Sequence, residues 1–91
     1  MSNSLPTITV LYFAAASTTI GLASEIVPIP HEGLKLSELG GVLTCRHSQS
    51  DLEKVLKTSR WSVDLEMIDD PEAILLKGGE EVAVICPVSG G

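Results

Sequence analysis

Val82-Ala83-Val84-Ile85-Cys86, closed by Pro87, is the stretch on which the reading of the fold turns. Its β-branched and apolar residues suit a pleated strand, and the proline stops it because it has no N–H to give a sheet ladder. Successive side chains of a strand face opposite sides. Val82, Val84 and Cys86 therefore share one face and Ala83 and Ile85 the other, and both faces are apolar. A strand of this kind has to be covered on both sides, as the centre of a sheet is. The far end of the first strand pattern, Thr7 to Phe13, behaves likewise, with Leu11 and Phe13 opposite Val10 and Tyr12. Two centre-type strands at the two ends of one chain are both accounted for if they lie side by side.

The segments between them supply the rest. Ala14 to Gly21, small and polar, is predicted as a turn, and Ser24 to Ile29 as a second strand bracketed by Pro28 and Pro30, so that the first two strands make a hairpin. Leu36, Leu39 and Leu43 fall at i, i+3 and i+7, the stripe of an amphipathic helix, with Ser37 or the preceding turn as its cap. Gly40-Gly41 within it cost about 1 kcal/mol each against Ala, so packing has to hold this helix. After the polar loop His47 to Ser50, Asp51 is placed to cap a second short helix with Leu52, Val55 and Leu56 apolar and Lys54 and Lys57 near its end. Trp61 to Ile68 returns to a strand pattern with Val63, Leu65 and Met67 on one face. Asp69 to Glu72 reads as a turn because Pro71 disfavours helix before it. Ala73 to Leu76 is a short apolar run of open type, and Lys77 to Glu80 another turn. Strands on either side of one main helix define an α+β fold. In the β-grasp form of that order the first and last strands are adjacent and parallel at the centre of a mixed sheet. The helices can cover one face of so small a sheet, which leaves a partner or a loop to cover part of the other, with Leu11 and Phe13 as partner-facing candidates.

Ninety-one residues make one domain. With 44% hydrophobic residues but 3% aromatic ones, the core has to be aliphatic. A core that small has little room for a substrate pocket of roughly 300 Å3 or more, which disfavours an enzyme. The net charge of −6 argues against nucleic acid, whose phosphates demand Lys and Arg patches. Cys45 and Cys86 are too few for a secreted disulfide framework and lack metal-site spacing, so a reducing, cytosolic compartment is expected. Leu11 to Ala16 is far too short to span a bilayer. His31 and His47, in polar loops, are read as exposed, and Trp61 as a core or partly buried anchor. Cys45-Arg46-His47 lacks a third group to orient a nucleophile and base. Asp69-Asp70 and Glu80-Glu81 offer too few oxygens for a cation cage. Lys77-Gly78-Gly79 lacks the spacing of a phosphate loop.

The chemistry is left to the end of the chain, Pro87-Val88-Ser89-Gly90-Gly91. Two terminal glycines have the most ordering entropy to lose, so this segment, residues 87–91, is expected to be a flexible tail on a domain of residues 1–86. Extended, five residues reach about 16 Å at ~3.3 Å each, enough to enter another protein's active site. Without Cβ atoms, Gly90 and Gly91 can thread a passage closed to other residues. An ionised terminal carboxylate is a poor acyl group, whereas its adenylate is a mixed anhydride that sulfur or an amine can attack, and at Gly91 no side chain hinders that attack.

Gly79-Glu80-Glu81-Val82-Ala83-Val84-Ile85-Cys86-Pro87-Val88-Ser89-Gly90-Gly91 closely resembles the end of the small subunit of molybdopterin synthase, the MoaD-type ubiquitin-like sulfur carriers. Ile8-Thr9-Val10-Leu11-Tyr12-Phe13-Ala14 is similar to that family's first strand, while residues from about Glu32 to Arg60 match by pattern alone. The resemblance implies a β-grasp fold and a cycle. An ATP-dependent activating enzyme adenylates the Gly91 carboxylate, which becomes a thiocarboxylate. The tail, Pro87, Val88, Ser89 and Gly90, then inserts into a large synthase subunit, where sulfur passes to cyclic pyranopterin monophosphate. It further implies no bound cofactor, ATP being the activating enzyme's, and two small subunits flanking two large ones. The acidic balance fits docking on basic partner sites. Cys86 stands where the family usually has a first Pro, and Gly79-Glu80 replaces a Gly-Asp turn. Cys86 is read as a buried strand cysteine rather than a reactive thiol. The other readings of a Gly-Gly end are a ubiquitin-like modifier joined to lysines, a carrier for thiazole or tRNA thiolation, and a plain interaction domain.

Overall fold

The structure is a computed structural model that describes residues 5–13 and 15–85. In chain order its strands are β1 (Thr7–Tyr12), β2 (Ser24–Pro28), β3 (Leu34–Lys35), β4 (Arg60–Val63), β5 (Glu66–Ile68), β6 (Leu75–Leu76) and β7 (Glu81–Ile85). The helices are α1 (Ala15–Ile20), α2 (Leu36–Arg46) and α3 (Leu52–Thr58), with a 3-10 turn at Pro71–Ala73. Five strands form one mixed sheet in the order β2-β1-β7-β4-β5. As the doubly apolar patterns require, β7 is at the centre and parallel to β1, with Leu11 opposite Ala83 and Tyr12 opposite Val84. This is the β-grasp arrangement.

Register decides what each face carries. Tyr12, Val84, Trp61 and Ile68 stand in one row across β1, β7, β4 and β5, and Leu11, Ala83, Ser62 and Met67 in the next. The first row faces the helices. There Ile8, Val10, Tyr12, Val27, Val82 and Val84 meet Leu36, Leu39 and Leu43 of α2 and Leu52 of α3, all within 2% of complete burial. The stripe read at i, i+3 and i+7 is therefore the core face of α2.

Several local expectations are corrected. Residues 15–20 form a helix rather than a turn: Ala and Ser resist helix little, Ala16 is buried, and Gly21 at φ 75° ends the helix with its N–H on the Ser17 carbonyl. The first two strands do pair antiparallel, but across this helix rather than a short turn. Trp61–Ile68 is two strands, because Asp64 and Leu65 both adopt positive φ, 50° and 72°, in a two-residue reversal between Val63 and Glu66. Leu65 hid it, since an aliphatic residue is not a turn signal. Neither Ser37 nor Asp51 caps a helix by its side chain: Lys35 precedes α2 without a side-chain cap, and Ser50 Oγ accepts from the Leu52 N–H at 3.2 Å. Leu75–Leu76 is a strand, paired with β3 in a small second sheet. Pro71–Ala73 continues the predicted turn, with Asp70 accepting from the Glu72 N–H. At Lys77–Glu80, Gly78 and Gly79 have positive φ, and the Glu80 carboxylate accepts from the N–H groups of Lys77 and Gly78 at 2.8 and 2.7 Å.

Candidate functional site

The row Leu11, Ala83, Ser62 and Met67 faces away from the helices, with Ala83 and Ser62 sunk to 8% and 5% exposure among more exposed neighbours. With Phe13, Leu65, Glu81 and Ile85 it lines a shallow depression of about 250 Å3. Phe13 is 48% and Met67 50% exposed, and Leu65 at the adjoining turn is 89% exposed. Ile26 of β2, opposite Thr9, extends the same face toward the other edge. Contiguous exposed apolar surface on a small protein marks a place where something else packs. Leu11 and Phe13, singled out from the strand pattern, lie within it. Ala83, Ile85, Met67 and Leu65 were missed as members of the surface, although Ala83 and Ile85 follow once β7 is set beside β1 in register.

The same face leads to the tail. Ile85 is the last described residue of the central strand and stands opposite Arg60 of β4. Cys86, the tail residues Pro87, Val88, Ser89 and Gly90, and Gly91 lie outside the described residues, as does the domain boundary placed at residue 86. The described part of β7, paired with both β1 and β4, ends at Ile85 beside the open apolar face.

One polar cluster went unread in the sequence. Glu25 of β2 stands opposite Val10, on the core side of the sheet. Its carboxylate accepts from the Tyr12 hydroxyl at 2.5 Å, pairs with His47 Nε2 at 2.7 Å and meets Arg46 Nη2 at 3.2 Å. Tyr12 is buried and the Glu25 side chain is 10% exposed. Burial by itself would raise the Glu25 pKa, but the Tyr12 and His47 hydrogen bonds and the adjacent charges hold it below the usual carboxylate value. Burial and then the hydrogen bond to Glu25 push the Tyr12 phenol far up. His47 is thus half-buried and engaged rather than an exposed loop histidine, whereas His31 is exposed as expected. The cluster ties the end of α2 to β1 and β2 and presents no nucleophile. Cys45 beside it is exposed and unbonded to any other cysteine. The one available signal was an acid inside a strand otherwise headed for the core. Among the described residues no group of His, Cys, Asp and Glu could hold a metal ion, and no helix is long and apolar enough to cross a membrane.

The comparisons with known proteins agree with this layout. The ThiS family matches residues 10–91. The chain is 47% identical over 93 residues to the molybdopterin synthase sulfur carrier subunit of Mycosarcoma maydis, covering all of both chains. It is 34% identical to the human protein of that name, over 90% of this chain and 91% of that one. In fold it matches a putative molybdopterin converting factor subunit 1 from Pyrococcus furiosus at a TM-score of 0.72 and 22% identity, over 91% of this chain and 99% of the other. It also matches a chain of the complex of subunits 1 and 2 of molybdopterin-converting factor from Helicobacter pylori at a TM-score of 0.66 and 21% identity, over 93% and 99% of the two chains. The open face and the strand that leads to the tail are thus set on a scaffold of known type, and the chain belongs to the ThiS family, among the molybdopterin synthase sulfur carrier subunits.

Proposed function

We propose that this subunit carries sulfur on the terminal carboxylate of Gly91 and delivers it by inserting residues 87–91 into a larger synthase subunit. The observation that supports this most is the central strand: β7 is paired on both sides, Ile85 is its last described residue, and Gly91 follows six residues later in the sequence. A strand held by both neighbours is a rigid base, so a partner that grips the sheet also fixes where the carboxylate arrives. Such fixing converts a chance encounter into a positioned one.

The reaction divides into steps. An ATP-dependent activating enzyme joins the Gly91 carboxylate to AMP and releases pyrophosphate. A sulfur nucleophile attacks the acyl carbon and displaces AMP, leaving a thiocarboxylate. In the larger subunit that sulfur bonds to a carbon of cyclic pyranopterin monophosphate, and water then cleaves the acyl–sulfur bond, leaving sulfur on the pterin and restoring the Gly91 carboxylate. This chain supplies the acyl carbon and its reach, while ATP and substrate are held by the partners. The open face, with Leu11, Phe13, Ala83 and Met67, is the surface on which the larger subunit packs. An arrangement of two small and two large subunits, and a cytosolic setting, complete the reading.

Reconstitution with the larger subunit tests it. Deletion of Gly91 should abolish conversion of the pterin substrate while leaving the affinity of the two subunits within a few-fold of the wild type. Activity that survives the deletion would refute the assignment. In the alternative reading, as a lysine-linked modifier, denaturing purification from cells would recover many isopeptide adducts of Gly91.

A further inference from the structure

The depression on the open face has a floor of small residues and a wall of large ones. Ala83 and Ser62 are 8% and 5% exposed, whereas Phe13, Met67 and Leu65 around them are 48%, 50% and 89% exposed. The register sets Ser62 of β4 between Ala83 of β7 and Met67 of β5, with Leu11 of β1 beyond Ala83. Its volume, about 250 Å3, lies below the roughly 300 Å3 at which small-molecule pockets begin. A hole of that size and shape suits one bulky side chain inserted from outside.

Ser62 is the unusual member, a hydroxyl buried in a floor whose other residues are apolar. No described residue hydrogen-bonds this hydroxyl. Nor is it sealed in. Among the described residues no fully enclosed side-chain oxygen or nitrogen lacks a partner, so the Ser62 oxygen opens into the depression that it lines. Solvent serves it there while the face is free. A purely apolar plug would exclude that solvent and leave the hydroxyl buried and unpaired, which is unfavourable. The occupant therefore needs apolar flanks and one hydrogen-bonding group at its tip. Tyrosine has this form: the phenol oxygen lies on the long axis of the ring, so it reaches the floor while the ring touches the wall. A phenol both gives and takes a hydrogen bond, as a serine hydroxyl does. Tyrosine is also among the residues that anchor interfaces through desolvated pockets.

We propose that the depression receives a single tyrosine of the larger subunit, its ring against Leu11, Phe13 and Met67 and its hydroxyl bonded to Ser62. This rests on the reading that the larger subunit packs on the open face, and adds the anchor that fixes the docking. Ser62 is then a specificity residue, because a site built to bond a hydroxyl rejects a side chain that lacks one.

The test uses the two full-length subunits, with fluorotyrosine incorporated into the larger one. One fluorine resonance should move when the complex forms, and Ser62→Ala should move that resonance again while leaving the others in place. By calorimetric titration, Ser62→Ala should weaken association roughly ten-fold, as the phenol loses its partner. Ala83→Leu, which fills the depression, should weaken it about 100-fold or more. Glu81→Gln, on the rim, should leave it unchanged. The urea midpoint of Ser62→Ala should not fall, since no described residue bonds its hydroxyl. If Ala83→Leu associates as the wild type does, the open face is not the interface, and both that reading and the proposal fail. If Ala83→Leu blocks association but Ser62→Ala neither weakens it nor moves a fluorotyrosine resonance, the face stands and the tyrosine anchor alone is overturned. A loss from Glu81→Gln equal to that from Ser62→Ala would mark a cationic anchor and overturn it as well. In the free chain, a shift of the Met67 amide on removing residues 86–91 would assign the depression to the chain's own tail, and a shift on dilution to a second copy. Either would overturn the proposal.

Discussion

Glu25 holds a hydroxyl, an imidazole and a guanidinium on one carboxylate, and its removal strands the buried Tyr12 hydroxyl. An unsatisfied buried donor costs about 1–3 kcal/mol. Glu25→Ala should therefore lower unfolding stability by about 2 kcal/mol near neutral pH, read from a urea titration. The pH dependence carries a definite sign. Because the folded protein holds Glu25 below the ordinary carboxylate value, its contribution is complete above that value and is lost as pH falls through the lowered one. The gap between wild type and Glu25→Ala should consequently close in acid. Tyr12 acts at the other end: its raised phenol contributes fully below the ordinary value of about 10, and stability should decline as pH rises beyond it. A gap that stayed constant down to strong acid would show that the carboxylate is not held as described.

At the scale of the element, the two-residue reversal at Asp64 and Leu65 joins β4 to β5 with both residues at positive φ. Leucine is strained there by roughly 1 kcal/mol and, at 89% exposure, recovers little by packing. Leu65→Gly should raise stability by about 0.5–1 kcal/mol in chemical denaturation, whereas a loss would mean that Leu65 supports the hairpin in some other way. Asp64 has a second task, its carboxylate accepting from the Glu81 N–H at 3.0 Å, and is best left in place. This turn also shows what could and could not be read in advance. Val82–Ile85, Thr7–Phe13 and the Leu36, Leu39, Leu43 stripe were legible because burial imposes periodicity on side chains. The Asp64-Leu65 turn, helix α1 and the Leu34–Lys35 strand were not, because each is fixed by tertiary contacts that outweigh weak local preference. The open face was half legible. Leu11 and Phe13 betrayed it by alternation, whereas Met67 and Leu65 joined it only through a register that local sequence does not encode. Glu25, His47 and Arg46 meet across more than twenty positions of chain, so no local motif could announce them.

For the whole molecule, the β-grasp scaffold divides its labour between two sides of one sheet. The helix side supplies the aliphatic core, and the open side carries the apolar row that the proposed reading gives to a larger subunit. Phe13→Asp with Met67→Asp should reduce affinity for that subunit by about 100-fold or more, since charges placed in a packed apolar contact are left unpaired. Both side chains are about half exposed, so the urea midpoint should barely move, and unchanged binding would remove this face from the interface. In the proposed reading the tail takes its position from the scaffold and its chemistry from Gly91. The most direct measurement is therefore intact-mass spectrometry of the chain after incubation with an activating enzyme, ATP and a sulfur donor. The account predicts a mass gain equal to one oxygen-to-sulfur exchange, mapped to Gly91 and absent when ATP is withheld. An unchanged mass, with an activating enzyme shown to form the adenylate, would contradict it.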